Sequence, residues 1–187
     1  MSAPSGGRQE NLGDIVKQTA NKASETARIF IVDDHPIVRS GLEALIEQES
    51  GLAVCGGAAR GTEALGKISD LEPEIALVDI SLEGSNGIDL TKAIQKESPQ
   101  TFVIVLSMHD EELYAERALR AGARGYVMKQ EPPETVLKAI REVLEGRLYL
   151  SNGIKSHLLQ EMMEKAGGKR TARTGLQKLS DRELEVY

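Results

Sequence analysis

The sequence has few aromatic residues and a single cysteine. Aromatic side chains make up 3% of its 187 residues, which argues against a stacking surface for single-stranded nucleic acid. Cys55 alone cannot form an intramolecular disulfide or a zinc site built from several cysteines. The longest fully apolar run, residues 102–106, is much shorter than the about 20 residues of a membrane helix. The first 27 residues also lack the apolar stretch of a secretory signal, so we predict a cytoplasmic protein that does not enter membranes.

The composition is otherwise that of an ordinary globular domain. Hydrophobic residues make up 40% and charged residues 28% of the chain, enough to bury an aliphatic core without disulfides or metals. The formal net charge is −6, so the chain as a whole is not expected to bind polyanions.

Changes in composition divide the chain into four segments. Residues 1–27 have few apolar side chains and balanced charges, which predicts a disordered N-terminal extension. Residues 28–147 alternate short apolar runs with amphipathic stretches, the pattern of one folded domain. Residues 148–178 predict a linker that is first helical and then flexible and basic. Residues 179–187 contain an S-x-x-E capping box, which predicts the start of another helix.

The apolar runs of the central segment predict its fold. Each run is too short for a helix and lacks alternation, as expected of strands buried on both faces. The stretches between them repeat apolar residues at helical spacing. We therefore predict an α/β fold, a flavodoxin-like doubly wound parallel sheet of five strands in the order 2-1-3-4-5. The runs are residues 29–32, 52–55, 75–78, 102–106 and 126–128.

Polar residues follow four of these strands directly. Asp33 and Asp34 end the first, Asp79 the third, Ser107 the fourth and Lys129 the fifth. Each has an ordinary explanation on its own, since Asp34 could cap a helix and Lys129 could be a solvated lysine. The predicted strand order, however, brings them all to one edge of the sheet, where such folds bind ligands.

Three carboxylates gathered at one edge need a partner. At about 5 Å each pair repels by roughly 3 kcal/mol at an effective dielectric of 20. A divalent cation removes that cost, and oxygen ligands favour Mg²⁺. A cation, a lysine and a hydroxyl around one carboxylate form a phosphoryl-transfer site. Asp79 is the predicted nucleophile, because its strand lies between the acidic pair and Lys129.

Four motifs resemble those of response-regulator receiver domains. They are IVDDHP at residues 31–36, IALVDI at 75–80, VLS at 105–107 and GYVMK at 125–129. They occur in order at the predicted strand ends, and the resemblance covers about residues 28–147. Two positions depart from the family pattern. Leu82-Glu83 stands where many receivers have Met-Pro, and Gln130 stands where many have a proline, so the turn after Lys129 should form differently.

The resemblance implies a role for each of the polar residues. Asp79 would accept a phosphoryl group from a sensor histidine kinase, and Lys129 would pair with that group. Asp33, Asp34, Asp79 and the backbone carbonyl of Ser81 would hold Mg²⁺. The receiver would act only on its own phosphoryl group and would not be an enzyme with a separate substrate.

The resemblance also implies switch and lifetime residues. Ser107 would hydrogen-bond the phosphoryl oxygens, and the ring of Tyr126 would move inward as Ser107 shifts. Ser81 and His109 would border the path of the attacking water and tune dephosphorylation. His109 could equally be a solvated loop residue.

The C-terminal segment is similar to the start of a LuxR-type helix-turn-helix domain, and residues 146–151 resemble the junction of the NarL/FixJ subfamily. This similarity implies a transcription regulator that binds promoter DNA through an all-α domain and forms a homodimer on phosphorylation. The recognition helix lies beyond Tyr187, so we expect this chain itself not to bind promoter DNA specifically.

Two other functions share part of this pattern. A stand-alone receiver acting through protein–protein contacts has the same phosphoacceptor motifs, and the sequence beyond Tyr187 would discriminate the two. An aspartyl phosphohydrolase would need a D-x-D motif on the first strand, whereas Asp33-Asp34-His35 stands there.

Overall fold

The computed structural model describes residues 26–108 and 111–151, together with residues 154–156, 160 and 163. The predicted disordered extension up to residue 25, the flexible basic linker and the capping-box segment lie outside the described residues, as does His109.

Seven strands and five helices follow one another along residues 27–144. The strands are β1 (Ala27–Val32), β2 (Leu52–Ala58), β3 (Ile75–Asp79), β4 (Ser81–Leu82), β5 (Ser85–Asn86), β6 (Phe102–Ser107) and β7 (Gly125–Met128). The helices are α1 (Pro36–Glu47), α2 (Gly61–Leu71), α3 (Gly87–Glu97), α4 (Glu111–Arg120) and α5 (Glu134–Leu144).

Five of the strands form one parallel sheet in the order β2-β1-β3-β6-β7. This is the predicted order 2-1-3-4-5, and the predicted flavodoxin-like fold is confirmed. β1 begins at Ala27, one residue inside the segment predicted as an extension. β2 continues to Ala58 through Gly56, where a Cβ atom would lie 3.0 Å from the ring of Phe30. Glycine suits this position, because a side chain would have to push that ring aside by a few tenths of an ångström.

The sheet is buried on both faces, as the unbroken apolar runs predicted. Alternate residues of β1 point to opposite sides: Ile29 and Ile31 belong to a core cluster shared with α1 and α5. Phe30 and Val32 belong to a cluster shared with α2, α3 and α4. Burying an aliphatic side chain of this size contributes about 2 kcal/mol, so these two layers supply most of the stabilising free energy.

The strand register brings the predicted polar residues level with one another. Val32 pairs with Val78, so Asp33 and Asp79 are the next residues on neighbouring strands. Ser107 pairs with Met128, and Lys129 follows directly. Because all strands of the sheet run in the same direction, these side chains meet at its carboxyl edge.

After α5 the chain reverses at Gly146, whose φ of +80° suits glycine, and returns to the edge of the sheet. There Tyr149 forms a parallel bridge with Gly125. The described residues 154–156, 160 and 163 are helical. The described helices are all too short or too polar to cross a bilayer.

Candidate functional site

A buried ion triad stands at the carboxyl edge of the sheet. The Nζ atom of Lys129 lies 2.7 Å from Asp33 Oδ2 and 2.7 Å from Asp79 Oδ2. The side chains of Asp33 and Asp79 are 0% and 3% exposed, and that of Lys129 is 12% exposed. Three of the residues predicted from separate strand ends therefore meet in one place.

Burial and charge act in opposite directions on this triad. Burial raises the pKa of Asp79, and the hydrogen bond and positive charge of Lys129 offset that rise only in part. Burial also disfavours the charge of Lys129, but hydrogen bonds to Asp33 and Asp79 outweigh it and raise the Lys129 pKa. The ammonium group therefore stays charged, and it is shared between two carboxylates.

The backbone after β1 fixes Asp33. Its carboxylate oxygen Oδ1 accepts a hydrogen bond of 2.8 Å from the backbone N–H of His35, and its carbonyl accepts one of 2.6 Å from Arg39 Nη1. His35, not Asp34, is the N-cap of α1, with Pro36 in its first turn. The interpretation of Asp34 as a helix cap is therefore wrong, and its carboxylate is available for other contacts.

Asp34 presents a buried oxygen beside the imidazole of His35. Its Oδ2 accepts a hydrogen bond of 3.1 Å from the backbone N–H of Glu83. Its Oδ1 is buried and accepts no hydrogen bond from any described residue, although His35 Nδ1 lies 2.7 Å away. A bound cation would give this oxygen the partner that no hydrogen bond from the described residues supplies.

The acidic cluster has the dimensions of a cation site. One carboxylate oxygen from each of Asp33, Asp34 and Asp79 and one nitrogen of His35 lie within 4.8 Å of one another. Three carboxylates are hard oxygen donors of the kind that Mg²⁺ prefers. The residues therefore fit the predicted cation, and His35 is a neighbour of the cluster that the sequence did not single out.

The loop after Asp79 is pinned to the site by backbone contacts. The Ser81 N–H points to Asp79 Oδ1 at 3.4 Å, a long hydrogen bond, and Ser81 is exposed. Leu82-Glu83 stands where many receivers have Met-Pro, but the loop still packs against the site. The side chain of Leu82 is buried, and the N–H of Glu83 donates to Asp34.

Gly87 is a second residue that sequence reasoning missed. A Cβ atom at this position would lie 2.1 Å from the carbonyl oxygen of Asp79, so only glycine lets the start of α3 approach so closely. Its N–H donates to the carbonyl of Ile80 at 2.9 Å, and the Asn86 side chain caps α3 by accepting from Ile88 N. Asn86 is a helix-capping residue that local sequence can indicate, but the close approach of Gly87 to Asp79 depends on packing between elements.

The turn after β7 forms without a proline, as its sequence required. The N–H of Lys129 donates to the carbonyl of Ser107 at 2.7 Å, and that of Glu131 donates to Met128 at 3.0 Å. The Gln130 side chain donates to the carbonyl of Met108 at 3.3 Å. Gln130 thus connects the loops after β6 and β7 and helps to hold Lys129 in place.

The remaining predicted residues are placed as follows. Ser107 is 0% exposed at the end of β6. Tyr126 is 1% exposed, and its side chain belongs to the core cluster on the α2–α4 face of the sheet. Because Ser107 and Tyr126 lie on paired strands, the predicted switch residues are neighbours in the fold. Their roles, and those of Ser81 and His109, stay predictions.

Comparisons with known proteins agree with this site. Residues 29–141 match the response regulator receiver domain. The chain is similar to the oxygen regulatory protein NreC of Staphylococcus aureus, with 35% identity over 162 residues, 85% of this chain and 74% of NreC. A two-component response regulator of the LuxR family from Aurantimonas is 38% identical with a TM-score of 0.69, covering 75% of this chain and all of that structure. The isolated REC domain of RcsB from Salmonella enterica serovar Typhimurium, solved with the phosphomimetic BeF₃⁻, is 27% identical with a TM-score of 0.65 over 71% of this chain and 98% of that one.

Proposed function

Because the chain belongs to the response regulator receiver family, we propose that Asp79 accepts a phosphoryl group from a sensor histidine kinase. The observation that carries the proposal is the contact of Lys129 with both Asp79 and Asp33 at 2.7 Å, beside a buried oxygen of Asp34 that accepts no hydrogen bond from the described residues. A structural ion pair alone would not collect a third carboxylate beside a buried pair.

These positions support a phosphoryl transfer. A carboxylate oxygen of Asp79 attacks the phosphorus of a phosphohistidine; the new O–P bond forms while the N–P bond breaks, and the imidazole leaves. Lys129 is already within ion-pair distance of Asp79 and would pair with the transferred oxygens. Ser107, buried at the end of β6, would donate a hydrogen bond to them.

Asp33, Asp34, Asp79 and the backbone carbonyl of Ser81 would hold Mg²⁺. When bound, the ion supplies positive charge for the phosphoryl oxygens. Removal of the phosphoryl group needs a water that attacks phosphorus, and Ser81 and His109 would border its path. The chain would thus act only on its own phosphoryl group, without a separate substrate.

The output of the protein would be transcription. The relative from Aurantimonas belongs to the LuxR family, and residues 179–186 resemble the start of a LuxR-type helix-turn-helix domain. We therefore infer a cytoplasmic regulator of the NarL/FixJ type that binds promoter DNA through that domain. Phosphorylation would favour the inward Tyr126 and a homodimer.

Phosphorylation with a small donor tests the proposal directly. The chain is incubated with acetyl phosphate and Mg²⁺, and the modified residue is mapped by mass spectrometry. We expect one acid-labile aspartyl phosphate on Asp79, lost in Asp79→Asn and kept in Asp89→Asn, an exposed aspartate on α3. Modification of a histidine, or persistence in Asp79→Asn, would contradict the proposal.

A further inference from the structure

The short hairpin formed by β4 and β5 stands next to the acidic cluster. Leu82 pairs with Ser85, so Glu83 and Gly84 form the two-residue turn between them. Leu82 is 6% exposed and belongs to the core cluster shared with α2, α3 and α4. At the base of the hairpin, Asn86 caps α3 with its side chain. Both strands of the hairpin are therefore anchored, and the Glu83 N–H is held in a fixed place.

The Glu83 N–H is bonded to one of the three clustered carboxylates. It donates to Asp34 Oδ2 at 3.1 Å, across 49 positions of sequence. Asp34 follows β1 and Glu83 follows β4, so the bond joins the loops after β1 and β3. Receivers that have Met-Pro at this place would lack the bond, because proline has no N–H. The contact is therefore a feature of this chain.

We propose that the Glu83 N–H is a positioning group for Asp34, which holds that carboxylate in the orientation that a cation in the acidic cluster needs. The donor engages Oδ2, while Oδ1 is buried and accepts no hydrogen bond from the described residues. A ligand that is oriented before the ion arrives loses less freedom on binding, so the site holds Mg²⁺ more tightly. This inference rests on the Mg²⁺ site of the proposed function.

A donor on a carboxylate can also compete with a cation, because both draw on the same negative charge. Two features of the structure favour positioning over competition. The N–H reaches Oδ2 and leaves Oδ1 of Asp34 to the cluster. The hairpin that carries Glu83 also carries Ser81, whose backbone carbonyl is another of the proposed ligands. One hydrogen bond therefore fixes two of the proposed ligands, on separate loops, relative to each other.

The turn allows this N–H to be removed while the backbone keeps its shape. Gly84 has a φ of +72°, and Glu72 is the one non-glycine among the described residues with a positive φ, so that of Glu83 is negative. A positive φ at the second turn residue alone is the pattern of a type II turn, which favours proline at the first. Leu82 is in a strand, as the residue before a proline should be. Glu83→Pro therefore suits the turn and deletes the donor.

NMR titration of the full chain with Mg²⁺ compares Glu83→Pro with Glu83→Ala. Both variants lack the Glu83 carboxylate, so the backbone N–H is what distinguishes them. We expect Glu83→Pro to bind Mg²⁺ about tenfold more weakly than Glu83→Ala, because it loses the hydrogen bond that orients a ligand. Equal affinities, or tighter binding by Glu83→Pro, would overturn the proposal.

Thermal unfolding without metal separates positioning from a structural role. Proline in a compatible turn restricts the unfolded chain, so Glu83→Pro should be at least as stable as Glu83→Ala. A Glu83→Pro chain that unfolds at a lower temperature than Glu83→Ala would assign the N–H to the fold and would also overturn the proposal.

Hydrogen exchange tests the bond without a proline. In the metal-free chain, Asp34→Ala should speed exchange of the Glu83 amide with water by about tenfold, because that amide loses its acceptor. The Glu131 amide is the control, since it donates to the Met128 carbonyl in the turn after β7 and should keep its rate. An unchanged Glu83 amide, or an equal acceleration of both amides, would contradict the positioning role.

The outcomes separate this inference from the proposed function. Mg²⁺ binding and labelling of Asp79 in the natural chain, with no difference between the two Glu83 variants, would overturn the positioning role alone. Absence of Mg²⁺-induced shifts in the natural chain would overturn the proposed Mg²⁺ site together with the positioning role. Mg²⁺ binding that differs between the variants as expected, without any labelling of Asp79, would overturn the phosphoacceptor proposal and leave the positioning of Asp34 intact.

Discussion

The two ends of the same parallel strands are held together in different ways. At the amino end, Glu74 is exposed; its carboxylate accepts the Arg28 N–H at 2.7 Å, and its own N–H donates to the Arg28 carbonyl at 3.0 Å. At the carboxyl end, Asp33, Asp79 and Lys129 are withdrawn from water and depend on one another. The amino end is joined by neutral hydrogen bonds, including one from the buried Thr101 hydroxyl, and by solvated charge, while the carboxyl end concentrates buried charge.

The difference shows where the fold gives up stability for chemistry. Solvated charges at the amino end can lose a partner at little cost, because water replaces it. Buried charges cannot, because each one depends on a partner that is also buried. The buried charges at the carboxyl end therefore lower the stability of the fold, as is expected of a site that serves a reaction.

Removal of the lysine ammonium group that Asp33 and Asp79 share should have the largest effect on stability. Lys129→Ala leaves Asp33 and Asp79 buried without their common partner and should lower the free energy of unfolding by about 3–5 kcal/mol. Lys92→Ala is the matched control, because Lys92 also lies near an aspartate, 2.9 Å from Asp89, but at the surface. It should cost less than about 0.5 kcal/mol. Urea unfolding measures both, and equal losses would remove the distinction between the two ends.

Local sequence features sufficed to predict the sheet and its polar edge. Asp33, Asp79 and Lys129 each follow an apolar run directly, so strand order alone places them together. The roles of Gly87 and Tyr149 could not be predicted in this way. Gly87 is constrained by the carbonyl of Asp79 on another element, and Tyr149 by the backbone of β7. Such contacts depend on how elements pack, and no periodicity along the chain encodes them.

A methyl group added at Gly87, beside the Asp79 backbone, should have the next largest effect on stability. In Gly87→Ala the new Cβ atom would lie 2.1 Å from the Asp79 carbonyl oxygen, so backbone must shift at a loss of about 2–3 kcal/mol. Because the shift displaces Asp79, acetyl phosphate labelling should slow as well.

Gly41→Ala is the control for this substitution. Gly41 lies inside α1 with nothing within 4 Å of a new Cβ atom, and alanine there should stabilise the chain by up to about 1 kcal/mol. Urea unfolding and the labelling rate are measured for both variants. A Gly87→Ala chain as stable and as reactive as the Gly41→Ala chain would contradict the close packing at Asp79.

The smallest predicted effect is a gain in stability. Burial raises the pKa of Asp79, so the folded state disfavours its carboxylate. Below the ordinary aspartate pKa of about 3.9 the side chain is protonated in both folded and unfolded chains, and this cost is absent. As the pH rises through the raised pKa of the folded state, the cost develops fully and then stays constant. Asp79→Asn removes the charge but keeps an oxygen that can accept from Lys129. The variant should therefore be more stable than the natural chain by about 1 kcal/mol at neutral pH, with the gain vanishing in acid.

Thermal unfolding across that pH range, with chelator present to exclude cations, measures the gain. Asp89→Asn on the surface should show no comparable gain at any pH. A gain in Asp79→Asn that does not change with pH, or a loss of stability at neutral pH, would mean that the charge of Asp79 is well compensated in the fold. The carboxyl end would then be no more costly than the amino end.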